Sequence, residues 1–154
     1  MERIESMKIA TLHFGEMEFT EQDVFHFTQG LPGLDDHRQF LLIPLEEGIP
    51  FSYLQSVEEG NLSILVTNPF DFFQDYDFSL SEEVRQELRI EEPIEVEVWS
   101  AVTVNEDLME ATVNLLAPIV VNSKKRIGKQ IILHDSSYHV KHQLPLAIAD
   151  ESTK

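Results

Sequence analysis

Four side chains near the end of the chain have the chemistry to hold a metal: His134, Asp135, His139 and His142. Neutral imidazole and carboxylate are donors that zinc accepts, in structural and catalytic sites alike. Their spacing is loose, and on a strand His139 and His142 would point to opposite faces. Ordinary surface histidines are therefore the expectation, with a small metal-dependent hydrolase using His134, His139 and His142 as the alternative. Other catalytic signatures are missing. There is no G-x-S-x-G elbow, no Walker loop, no G-x-G-x-x-G and no H-E-x-x-H. Gly30-Leu31-Pro32-Gly33 lacks the Lys-Ser/Thr of a phosphate loop and reads as a tight turn, so Gly30 and Gly33 are expected to shape the backbone. Among 28 Asp and Glu, carboxylate pairs occur everywhere and single out no acid–base couple. No enzyme is expected, and no cofactor.

Binding chemistry is concentrated in residues 68–78, Asn-Pro-Phe-Asp-Phe-Phe-Gln-Asp-Tyr-Asp-Phe. Five rings (Phe70, Phe72, Phe73, Tyr76, Phe78) alternate with Asp71, Asp75 and Asp77. Adjacent side chains diverge, so about three of the rings can fill the core while one or two reach the surface among carboxylates. Exposed aromatics rimmed by charge are how binding hot spots are built. Phe72, Asp75 and Tyr76 are the expected partner contacts, with Asp71 as a steering charge.

Charge narrows the choice of partner. The 154 residues carry 11 Lys and Arg against 28 Asp and Glu, a net charge of −17. A chain of that sign is repelled by nucleic-acid phosphate and by anionic membrane surfaces, so neither is an expected direct partner, while a basic protein is. The charge is also uneven. Residues 71–110 hold 13 acidic and 2 basic side chains, and residues 123–142 hold 5 basic and 1 acidic, which predicts an electrically two-sided surface. The absence of cysteine removes disulfides and thiol chemistry and suits a reducing compartment. With no secretory leader and no run of roughly 18 apolar residues, the expectation is a cytoplasmic protein.

The elements that must position these side chains are mostly short strands. One domain is expected over residues 1–143, with residues 144–154 as a loose tail. Residues 7–14 and 17–19 pair as a hairpin, and residues 24–27, 40–43, 51–54, 62–66 and 130–133 are further strands. The clearest period-2 pattern runs over residues 94–104. It sets Ile94, Val96, Val98, Val102 and Val104 on a buried face and Glu95, Glu97, Trp99 and Thr103 on a mostly solvated one. Pro118 interrupts the return path through Met109, Ala111, Val113 and Leu115. One short helix fits near residues 80–90, capped by Ser79 with Glu82 and ended by Pro93. The fold class is mainly β: a small antiparallel β-barrel-like single domain with that one helix.

Several segments, in order, resemble the FliW family of flagellar assembly factors. They are residues 27–34 (FTQGLPGL) with 38–40 (RQF), 50–56 (PFSYLQS), 68–70 (NPF) with Tyr76, 114–122 (NLLAPIVVN) and 130–133 (QIIL). The resemblance covers roughly residues 7–140. It implies a cytoplasmic β-barrel-like protein, a monomer when free, that binds the translational repressor CsrA and also flagellin. Flagellin held by such a protein leaves CsrA on the flagellin mRNA. Once flagellin is exported, the protein captures CsrA and translation resumes.

Overall fold

The computed structural model describes residues 6–27, 31, 38–46, 48–104, 111–134 and 136–144. The chain opens with the expected hairpin, β1 (Ser6–Thr11) and β2 (Gly15–Thr20), paired from Ser6↔Thr20 to Thr11↔Gly15. It is a separate two-stranded sheet. The remaining strands are β3 (Phe25–His26), β4 (Gln39–Pro44), β5 (Phe51–Ser56), β6 (Ser63–Thr67), β7 (Val96–Val104), β8 (Ala111–Val113), β9 (Ile119–Asn122), β10 (Ile127–Gln130) and β11 (His142–Gln143). They run β11-β8-β7-β6-β5-β4-β3-β10-β9, and β9 pairs back onto β7, so β7 through β9 form a barrel-like ring. Among the strand pairings of the described residues, only the one between β3 and β10 is parallel, where Ile127 faces His26.

The ring explains why β7 is apolar on both faces. Trp99, Phe25, Phe27, Phe40, Leu54, Val66, Ile119 and Val121 share one buried cluster inside it, with the Phe25 and Trp99 rings edge-on at 5.2 Å. The period-2 reading is therefore reversed here. Trp99 lies on the interior face, whereas Val102 faces outward under the aromatic segment. Ile94 is 85% exposed and precedes the strand, on a 3-10 turn over Pro93–Glu95. Glu95 is buried instead. The Glu91 backbone N–H, with Lys125 and Lys124 nearby, holds its carboxyl below the usual range against the cost of burial.

One long partner strand for β7 is broken in two. Between the pairs Val102↔Val113 and Trp99↔Ile119, β7 advances three residues and its partner six. Residues 114–118 bulge out there, and Pro118, which has no N–H for the ladder, sits at the end of the break. The last strand of the ring lies earlier than expected: β10 contains Gly128, and residues 131–133 only continue alongside through Ile131 N–H to Pro118 O and Leu133 N–H to Leu116 O. Gly128 is required in its place. A Cβ there would stand 2.6 Å from both the Phe27 ring and Val121 Cγ1, so the barrel's inner packing needs a bare backbone.

Outside the ring, two layers cover the sheet. The β1–β2 hairpin lays Phe19 and Ile9 over Val24, Leu41 and Ile43. On the other side, residues 70–78 and 133–144 pack over Val102, Val113, Leu65 and Phe51. Leu144 is 3% exposed in that second layer and its N–H bonds Ala111 O at 2.8 Å, so it belongs to the folded body and not to a tail. Residues 145–154 lie outside the described residues, as do residues 28–30 and 32–37, which include Gly30 and Gly33.

Candidate partner-binding face

Residues 68–78 fold as successive tight turns. Asn68 Oδ1 accepts the Phe70 N–H (2.9 Å) and starts a 3-10 turn over Pro69–Asp71. Phe72 and Phe73 N–H both return to Pro69 O, and Tyr76 N–H returns to Phe73 O. Turns of this pitch send neighbouring rings in different directions. Phe72 lies over Phe51, Phe73 meets the His142 ring edge-on, and Phe70 points out, 40% exposed. Asp71, Asp75 and Asp77 are all exposed.

Tyr76 corrects the expectation of a surface contact. It is 4% exposed, with Phe70, Phe78 and Tyr138 rings at 5.5, 5.4 and 4.7 Å. Its hydroxyl donates to Leu115 O at 2.7 Å, inside the 114–118 bulge. Burial, and secondarily Tyr138, push the phenol well above its ordinary range, so it stays a neutral donor. Phe70 is the exposed ring of the five, while Phe72, Phe73 and Phe78 are half-buried. Four consecutive residues of turn geometry decide which ring that is, and composition does not encode them.

The helix α1 (Glu82–Glu87) follows. Its cap is Ser81, whose Oγ accepts the Val84 N–H at 3.1 Å; Ser79 stands two residues too early. Glu82 and Glu83 in the first turn complement the helix dipole. The helix ends well before Pro93. Arg89 takes a left-handed φ of 54°, while Ile90 N–H bonds Arg85 O and Arg89 N–H bonds Gln86 O, a Schellman closure.

Asn122 of β9 fastens this helix end to the barrel. Fully buried, it donates from Nδ2 to Leu88 O (2.8 Å) and Arg89 O (3.1 Å). Its Oδ1 accepts from Lys124 and Lys125 N–H. The basic β9–β10 turn is thereby laid against the acidic helix, with Lys129 on Glu87 at 2.6 Å and Lys125 on Glu91 at 3.7 Å. The expected two-sided charge is thus partly cancelled where the two segments meet.

Between the aromatic segment, the end of α1 and the start of β7 lies an apolar groove of about 410 Å³, lined by Phe70, Phe78, Leu80, Ile90, Val96 and Val98 and edged by Asp77, Glu91 and Glu92. Sequence reasoning does not show it, because its floor brings together three separate segments that only the tertiary fold places side by side.

Among the described residues the histidines do not gather with enough other donors to hold a metal. His139 and His142 come together, contrary to the strand expectation, because only His142 is in a strand. Their rings stack at 5.4 Å, and the His139 N–H donates to His142 Nε2 at 2.8 Å. Asp135 lies outside the described residues, and among those described no three His, Asp or Glu side chains gather at ligand spacing. Burial first, then His139, lowers the His142 pKa below 6.5. A histidine depressed in the fold costs nothing above its unfolded pKa and destabilises as pH falls below it. Thermal midpoints should therefore drop between pH 7.5 and 5.5 more in wild type than in His142→Gln, which keeps an acceptor without titrating. Equal drops would show that the clasp does not titrate in this range.

An exposed aromatic ring and carboxylate side chains thus surround a groove on a mainly β ring. The profile described as "FliW protein" matches residues 8–144. The chain is 42% identical over 139 residues to the "Flagellar assembly factor FliW" of Alkaliphilus metalliredigens, covering 90% of this chain and 86% of that protein. It is 43% identical over 138 residues to the protein of the same description from Bacillus subtilis, covering 90% and 96%. A solved structure, "Crystal structure of the flagellar assembly factor FliW", superposes with a TM-score of 0.85 at 39% identity, covering 89% of this chain and 96% of that one. The chain belongs to the FliW family. Among the described residues no helix is long and apolar enough to cross a membrane.

Proposed function

We propose that this chain is a non-enzymatic regulatory binding protein of the bacterial cytoplasm. It binds the translational repressor CsrA, relieving repression of flagellin mRNA, and binds flagellin as an assembly factor, exchanging one partner for the other. The observation that supports this reading, beside family membership, is the density of unshared carboxylates around an exposed ring. Asp71, Asp75 and Asp77 flank Phe70 and Phe72, and none of the three is in an ion pair among the described residues. An RNA-binding repressor presents a basic surface that such a face complements, and carboxylates docked beside it repel RNA phosphates. Asp71, Phe72 and Asp75 are the proposed contacts, with Tyr76 supporting them from behind.

The test is a titration of the purified protein into a preformed CsrA–RNA complex, followed by flagellin. RNA release that flagellin reverses is the expected result, and failure to bind either protein overturns the reading. Charge should act mainly on encounter, so the CsrA association rate should fall as ionic strength rises while dissociation changes less. A salt-independent association rate would remove the steering role of Asp71.

A further inference from the structure

The groove between Phe70, Leu80 and β7 is separate from the outward faces of Asp71, Phe72 and Asp75, and its chemistry is more selective. Its floor is apolar: Phe70, Phe78, Leu80, Ile90, Val96 and Val98 contribute from three elements. Beside it Ile94 is 85% exposed, extending the apolar surface past Pro93, another lining residue. The edge is acidic. Among the described residues Arg85 is the one cation lining it, and Glu82 engages that guanidinium. Glu91 is shared with Lys125, but Asp77 and Glu92 are in no ion pair among the described residues.

We propose that this groove seats an apolar segment of the repressor flanked by lysine or arginine, a reading that rests on the function proposed above. Desolvating the floor supplies affinity. The edge supplies selection, because an acidic or neutral segment would cover Asp77 and Glu92 without pairing them, whereas a basic flank pairs both. Of the two partners, the RNA-binding one is cationic by the requirements of its own ligand, so charge complementarity assigns the groove to it.

The test uses full-length protein and isothermal titration with CsrA and, separately, with flagellin. The variants are Phe70→Ala, Leu80→Lys and Glu92→Lys, and Glu16→Lys on the β1–β2 hairpin serves as an equal change of net charge away from the groove. The three groove variants should each weaken CsrA binding at least tenfold and flagellin binding less than threefold, with Glu16→Lys within threefold of wild type for both. Should Leu80→Lys fail to fold, Glu92→Lys, which alters only an exposed side chain, decides the matter. Wild-type affinity in the folded groove variants overturns the groove assignment and leaves the function intact. A wild-type protein that does not bind CsrA overturns both. Loss of flagellin binding alone, or an equal loss in Glu16→Lys, overturns the assigned occupant.

Discussion

Asn122→Ala is expected to destabilise this protein by about 1–3 kcal/mol, the cost of leaving one buried polar group without a partner. The side chain makes four hydrogen bonds, two donated to the carbonyls that end α1 and two accepted from the β9–β10 turn. Leu88 O, packed against β9, bears most of that cost; Arg89 O keeps the Lys125 ammonium as a donor at 3.0 Å, and the Lys124 and Lys125 amides can turn toward water. Two readouts follow. The denaturant midpoint should fall with little change in slope, and amide exchange should accelerate over residues 82–90 before it does elsewhere. A loss below about 1 kcal/mol would mean that Leu88, 3% exposed, holds the helix by packing alone. Because α1 forms one wall of the groove, the same variant should weaken partner binding even where the barrel survives.

Tyr76→Ala should cost about 3–5 kcal/mol, the range for a large buried ring. Tyr76→Phe should cost about 1–2 kcal/mol, since it strands Leu115 O with its neighbours in place. The ring stands between Phe70 and Tyr138 and spans from the aromatic segment to the 114–118 bulge, so its loss loosens both. Chemical denaturation of the two variants beside wild type checks the ordering. If Tyr76→Phe kept full stability but lost affinity for a partner, the hydroxyl would be a contact after all.

Much of the architecture was legible in the chain. The hairpin follows from alternation, the strands at 40–43, 51–54 and 62–66 from short apolar runs set off by turn-forming residues, and the interruption at Pro118 from proline's missing donor. The interior was not legible. Trp99 and Val102 are both apolar, and period 2 alone cannot say which side of β7 faces inward once a second layer covers the outside. The helix was placed correctly but its ends were not. Ser79 and Ser81 are equally good caps by type, and the left-handed Arg89 carries none of the glycine signal that usually marks such a stop. The site was half legible. Residues 68–78 stood out by composition, yet Tyr76 is buried and Phe70 is the exposed ring, and the groove depends on tertiary contacts among residues 70–98. His139 and His142 came together through an irregular segment that no periodicity describes.

The single parallel pairing of Ile127 with His26 has a consequence for how the protein is made. It joins the chain's first quarter to its last fifth, and β9 must return to β7 beside it. A growing chain leaving the ribosome can form the β1–β2 hairpin and the β4–β5–β6 meander from local contacts, but β7 keeps an open edge until β9 has emerged, and β3 keeps one until residue 130 has emerged. Closure is therefore a late event of high contact order. Until β10 has emerged the nascent protein exposes unpaired strand edges, a hazard the closed ring removes.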